Sequence, residues 1–333
     1  MNNYDVIAIG SSTRDVYLES SALESVESDQ FTTGRGICVP EGSKVSVDEI
    51  HYATGGSAVN ASITFANQEL ETSILCKVGD DSRGLSVQKR LLEAGVNTEN
   101  MLIDEDVYTA YSVVVHSPSG ERSIFVYRGA SNSMNKEEFP FDILQSTKWI
   151  FVTHLGGDSA AVFRPLLERA NKEGVKVALN PGSTQLKMGK KLGELLKYVD
   201  ILFVNREEAA LLNEMDYDNK DEIFNELDKM VKGIAVMTLG PDGVMVSDGE
   251  YRWEAPALEE KKFIDRTGAG DAFGSGFTSS IIRGGSVEDA IQLGSANATG
   301  VVSEWGANNG VLARGESSKK FGKLKIKKTK INE

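Results

Sequence analysis

The stretch that decides the reading lies late in the chain: DRTGAGDAFGSGF, residues 265–277. A polar approach, KKFIDRT, gives way to three small residues, Gly268, Ala269 and Gly270. A carboxylate, Asp271, follows, then a helix-like run through Ala272, Phe273 and Phe277. Small residues here let backbone N–H groups face an anion, and the start of a helix adds the positive end of its dipole. Asp271 is the odd member. On the first turn of a helix a carboxylate serves equally well as a cap. Beside an anion-binding loop it also has the chemistry to take a proton from a hydroxyl attacking phosphorus. Two other readings of the glycines are weaker. A dinucleotide fingerprint needs G-x-G-x-x-G directly after a buried strand, whereas the spacing from Gly268 is G-x-G-x-x-x-G behind a polar segment. A Walker A loop, with its Gly-Lys-Ser/Thr ending, occurs nowhere in the chain.

Outward from this motif, strand-like and helix-like segments take turns. YDVIAIG, ETSILCKVG, GVKVALN, VDILFVN and GIAVMTLG are short apolar runs bounded by turn residues. Helix-length segments at 56–70, 85–94, 160–172 and 220–231 lie between them. That alternation predicts an α/β fold in three layers, with a mostly parallel central sheet covered on both faces. Residues 16–53 and 107–127 break the rhythm. There, YSVVVH and RSIFVY alternate around the turn SPSGE, a pattern of half-exposed antiparallel strands. A small β appendage on one domain is expected, not a second independent domain.

The 333 residues suffice for a large core, and the net charge of −13 argues against a nucleic-acid or anionic-membrane surface. The N-terminus lacks the pattern of a signal peptide, and no apolar run approaches membrane-spanning length. Cys38 and Cys76 are too few for a disulfide framework, which fits a cytoplasmic protein. His51, His116 and His154 have no metal-binding spacing. Lysines cluster in residues 316–333, which read as a solvated extension or a terminal strand with its lysines outward.

Taken together, the motifs resemble the ribokinase-like (PfkB) family of carbohydrate and nucleoside kinases, over nearly the whole chain and in family order. DRTGAGDAFGSGF resembles the family's C-terminal signature, and GGSAVNASITFA, from Gly55, its N-terminal one. VGDDSRG at Val78, VNREEAALL at Val204 and MTLGPDGVMV at Met237 match further landmarks. Arg206 stands where the family often has an acidic residue. The resemblance implies a kinase domain over residues 1–315, with residues 16–53 and 107–127 forming a β-sheet lid. It further implies ATP- and Mg²⁺-dependent phosphoryl transfer to a hydroxymethyl group of a sugar. Asp271 would be the general base, and the backbone of Gly268, Ala269 and Gly270 the anion hole. Asn205 and Glu208 would hold hydrated Mg²⁺. Thr238, Gly240, Gly243 and Asn297 would border the nucleotide with Asn205. Asp265 and Thr267, with the backbone near Gly306, would bind a monovalent cation such as K⁺. Asp15, Gly55, Gly56 and Asn60 would bind the acceptor, and Asn180 sits at a strand end where it is either a phosphate contact or a turn residue. Only Arg14 and Arg128 are candidates to pair with a phosphate on the acceptor, so a neutral sugar or nucleoside is expected. The lid's exposed face would pair two subunits. A nucleoside kinase, or a catalytically silent nucleotide- or sugar-binding relative, remains the alternative, with a Rossmann oxidoreductase weakest.

Overall fold

The computed structural model describes residues 4–31, 34–116, 122–259, 262–313 and 315–331. A nine-stranded sheet forms its centre. From one edge its strands are Lys327–Lys330, Tyr251–Ala255, Val244–Ser247, Ile234–Thr238, Ile201–Asn205, Lys176–Leu179, Thr147–Val152, Tyr4–Ile9 and Thr72–Leu75. The six from Thr72–Leu75 to Ile234–Thr238 are parallel, and the last three extend the sheet antiparallel.

The pleat explains why both faces are apolar. Ile150, Val152, Leu202 and Val204 point to one core, with the helices Ala160–Glu173, Arg206–Asn213 and Lys220–Met230. Their strand neighbours Trp149, Phe151, Ile201 and Phe203 point to the other. That second core holds Ser57–Asn67, Ala269–Ile282 and Val287–Val302. Successive side chains on a strand alternate faces, so continuous apolar runs are what a twice-covered sheet requires.

The two irregular stretches join in one separate sheet of four strands, Arg122–Tyr127, Tyr111–His116, Thr13–Glu19 and Glu49–Gly55. Thr13–Glu19 runs parallel to Tyr111–His116 and antiparallel to Glu49–Gly55. The sheet starts three residues earlier than the alternation indicates, so Asp15 stands in a strand of the small sheet and not in a loop. Glu24–Glu27 and Arg35–Cys38 form a two-stranded ribbon of their own. The turn at 117–121 lies outside the described residues.

ETSILCKVG divides at Cys76. Thr72–Leu75 joins the central sheet, while Lys77–Gly79 pairs with Leu102–Asp104. VGDDSRG, which follows, is a junction. Asp81 caps the helix Ser82–Glu93 through the amides of Arg83 and Gly84, and it also accepts from the Thr109 amide and hydroxyl. The lysine-rich end contributes Lys327–Lys330 to the central sheet, where Lys328 lies over the rings of Tyr251 and Trp253. No helix among the described residues is long and apolar enough to cross a membrane.

Candidate active site

Parallel strands end together, and the polar residues that terminate them gather along one edge of the sheet. Thr147–Val152 leads to His154, Lys176–Leu179 to Asn180, Ile201–Asn205 ends in Asn205 and Ile234–Thr238 in Thr238. All four line one cavity of about 510 Å³. Its opposite wall is the start of the helix Ala269–Ile282, with Gly268, Ala269, Gly270 and Asp271.

Gly268 caps that helix at φ 84°, and a Cβ there would run into the carbonyl oxygen of Ala307. Only glycine combines that backbone with so close an approach. Gly270 faces open space, so the protein leaves room beside it. The three-residue anion loop inferred from sequence needs one adjustment. The Ala269 amide donates to the Arg266 carbonyl at 3.2 Å. Among the described residues no protein acceptor is recorded for the amides of Gly268 and Gly270. Those two remain available to an anion.

Asp271 lies on the first turn of this helix but is not spent as its cap. Its Oδ2 accepts from Asn60 Nδ2 at 2.9 Å and its Oδ1 from Asn180 Nδ2 at 3.3 Å. Burial pushes its pKa up, while the hydrogen bonds from Asn60 and Ser57 hold it down. Asn60 is fixed from behind, since its Oδ1 accepts from Asn308 Nδ2 at 2.9 Å, and Asn308 also donates to the Thr54 carbonyl. An amide chain of Asn308, Asn60 and Asp271 therefore sets the carboxylate's orientation.

Asn205 and Glu208 both line the cavity and form a reciprocal capping box, each amide donating to the other's side chain at 2.8 Å. The pair is thus a helix cap and a cavity wall at once. Burial raises the Glu208 pKa, the Asn205 amide lowers it, and Glu207 and Asp271 raise it further. Glu208 and Asp271 are thus both made reluctant to ionise, chiefly by burial. Arg206, the departure from the family pattern, turns to the Tyr217 ring at 4.1 Å. Thr238, Gly240 and Gly243 border the same cavity. Gly243, at φ 99°, brings a Cβ position onto the Ala255 carbonyl and admits nothing larger than glycine.

Asp15, Gly55, Gly56 and Asn60 do not border this cavity, although Ser57, next to Gly56 in the chain, does. Asp15 is buried and accepts from the hydroxyls of Thr13 and Ser112. Burial raises its pKa and those hydroxyls lower it. Gly55 leaves room for that carboxylate, which a Cβ would strike. Asn297 is placed elsewhere. It is fully buried, accepts from the Leu312 amide at 3.0 Å, and leaves the cavity wall to Ser295, Ala298 and Thr299 of its helix.

His154, Arg266 and Asn308 escaped the sequence reading. His154 follows an apolar strand, the same signal that marked Asn180. Burial lowers its pKa, and the charge of Arg128 lowers it further. Arg266 sits inside the decisive motif. Asn308 carries no local signal, being 248 residues from its partner Asn60.

An anion-ready helix start that carries a positioned carboxylate and faces the strand ends is the constellation of a phosphoryl-transfer enzyme. The comparisons agree. Residues 5–314 match the pfkB family carbohydrate kinase profile. An ATP-dependent ribose-1-phosphate kinase of Halopiger xanaduensis is 29% identical over 78% of this chain and 83% of its own length. A nucleoside kinase of Methanothermobacter thermautotrophicus is 26% identical over 84% and 88%. Among solved structures, an Arabidopsis thaliana ribokinase complexed with ribose and ATP superposes with a TM-score of 0.76. It is 23% identical and covers 92% of this chain and 95% of its own. The chain belongs to the pfkB family of carbohydrate kinases, and it is a kinase of the sugar or nucleoside class.

Proposed function

We propose that the protein transfers the γ-phosphoryl group of ATP to a hydroxymethyl group of a sugar, with Asp271 as the general base. The observation that carries this is the position of Asp271. It stands at the cavity wall, one residue beyond the free Gly270 amide, with each oxygen held by an amide donor. A carboxylate held this way presents a fixed lone pair to an acceptor hydroxyl. As the hydroxyl oxygen bonds to the γ-phosphorus, its proton passes to Asp271 and ADP departs. The amides of Gly268 and Gly270, with the helix dipole, face the charge on the transferring group. Thr238, Gly240 and Gly243 border the nucleotide. Glu208 and Asn205 would hold a hydrated Mg²⁺, since they bring a carboxylate and an amide oxygen, the hard donors magnesium prefers, to the cavity wall. Magnesium, when bound, would neutralise the triphosphate's charge.

The small sheet acts as a lid on this reading, with Asp15 of its inner face and Asn60 serving the acceptor. Its outer strand, Arg122–Tyr127, is a sheet edge with Ile124, Phe125, Val126 and Tyr127 between 45% and 68% exposed. Such an edge calls for a cover, and a second copy of the lid supplies one. A neutral acceptor fits Arg14, which donates to Thr54 at 3.2 Å and lines a separate cleft.

A phosphorylated sugar is the second reading, favoured by the similarity to an ATP-dependent ribose-1-phosphate kinase, with Arg128 the candidate partner for the acceptor's phosphate. Incubating the protein with γ-labelled ATP, Mg²⁺ and a panel of free sugars, nucleosides and sugar phosphates tests both. Highest kcat/KM on a neutral sugar supports the first. A preference for a sugar phosphate that Arg128→Ala abolishes establishes the second. No transfer to any acceptor leaves the silent relative.

A further inference from the structure

Among the described residues, one ion pair joins the lid to the anion loop. Arg122 Nη1, on the lid's outer strand, lies 3.2 Å from Asp265 Oδ1, with the two side chains 32% and 3% exposed. Asp265 stands three residues before Gly268, and its Oδ1 also accepts from the Thr267 amide at 3.2 Å. The amides of Ile264 and Asp265 donate to the Val302 carbonyl, tying this loop to the end of the helix Val287–Val302.

The surrounding contacts belong to the same docking. Just past that helix, Trp305 stacks on His51 at 4.7 Å and meets His116 edge-on at 5.2 Å and Tyr17 at 5.7 Å, all three from the lid sheet. His116 is the register partner of Arg122. Burial, Asp15 and Asp265 push the Tyr17 hydroxyl's pKa up, and Arg122 opposes them.

A buried carboxylate without a counter-charge is expensive, and removing one member of a buried pair leaves that charge uncompensated. A monovalent cation drawn from solution is the family's implied solution for Asp265 and Thr267. In this structure a protein side chain, Arg122, already stands where such a charge would act. One oxygen of the carboxylate already faces the Arg122 guanidinium, and a second cation on the same carboxylate would be repelled by it. Asp265 Oδ2 and Thr267 Oγ1 are buried without partners among the described residues.

We propose that Arg122 supplies, from the lid, the positive charge the Asp265 loop requires. The anion loop is then set by lid closure, and phosphoryl transfer does not require a monovalent cation. Arg122 is a positioning residue here, acting through Asp265 on the backbone at Gly268. This rests on the kinase reading only for its rate measurements.

The test compares wild type with Arg122→Gln at constant ionic strength, in K⁺ and in tetramethylammonium, a cation too bulky for a protein site. Melting temperature and ATP affinity are measured alongside the rate. Wild type is expected to keep its kcat within about twofold and its melting temperature unchanged between the two salts. Arg122→Gln should lose about tenfold in kcat in tetramethylammonium. K⁺ should restore both its rate and its melting temperature. Asp265→Asn, which removes the need for a counter-charge, should gain nothing from K⁺. A wild-type enzyme whose rate or melting temperature depends on K⁺ overturns the proposal, as does an Arg122→Gln variant indifferent to the salt. The melting and ATP-binding measurements decide the matter even if no acceptor in the panel is phosphorylated. The wild-type comparison decides it if the variant fails to fold.

Discussion

Asn60→Ala isolates the amide chain behind the proposed base. The substitution removes the donor 2.9 Å from Asp271 Oδ2 and the acceptor of the Asn308 amide. A hydrogen bond to a charged acceptor contributes about 1.5–3 kcal/mol. Nearly all of it favours the ionised carboxylate, because the protonated acid accepts more weakly. Burial already raises the Asp271 pKa, and Asn60 is among the groups holding it down. Losing Asn60 therefore moves the pKa further up, and the acid limb of kcat/KM must move to higher pH. On that limb the same energy reads as a loss of roughly 10- to 100-fold in kcat/KM. Well above it the loss should be small, since Asn180 and Ser57 still hold the carboxylate. A pH series of kcat/KM at saturating ATP measures this, with a thermal melt to confirm folding. Asn308 keeps its bond to the Thr54 carbonyl but loses its buried acceptor in Asn60, so the melting temperature should fall while the variant stays folded. An acid limb that stays in place, or moves to lower pH, refutes the role given to Asn60.

Glu208→Gln removes a charge beside Asp271; the magnesium concentration for half-maximal rate should rise while the acceptor KM stays nearly constant, and unchanged magnesium dependence makes the Asn205–Glu208 pair a helix cap alone. Gly268→Ala forces a Cβ into the Ala307 carbonyl at positive φ and should cost about 1–3 kcal/mol of stability together with a fall in kcat. Wild-type melting and rate would show that the loop is not constrained as described. Phe125→Glu places a charge on the exposed lid edge and should convert a dimer to a monomer in light scattering. A wild-type protein that is monomeric at micromolar concentration removes the lid interface.

The sheet and its two coats were legible because burial on both faces leaves an unmistakable trace, five apolar runs separated by helix-length segments. The lid was legible from alternation alone, although its two stretches lie far apart in the chain. Its start was not: Thr13 to Asp15 are polar on a strand whose inner face carries hydroxyls and a carboxylate, so apolar patterning begins late. The split at Cys76 was hidden because both halves of ETSILCKVG are buried, and an apolar run does not reveal which sheet each half joins. At the site, Asp271, Glu208, Thr238 and Gly243 sit in local motifs that can be read residue by residue. Asn308 and Arg122 matter through partners more than a hundred residues away, and nothing local distinguishes them. Asn297 shows the converse, since one position along a helix is a turn of 100° and moves a side chain from the cavity wall into the core.

The most direct test of the account is γ-phosphoryl transfer by Asp271→Asn. The variant keeps an oxygen to accept from Asn60 but no group basic enough to take the acceptor's proton. Turnover on the acceptor identified by the panel should fall by about 10²–10⁴-fold. ATP affinity, measured by calorimetry on the same preparation, should change little, because the anion loop is backbone. Turnover within about threefold of wild type would contradict the assignment of Asp271 as the base.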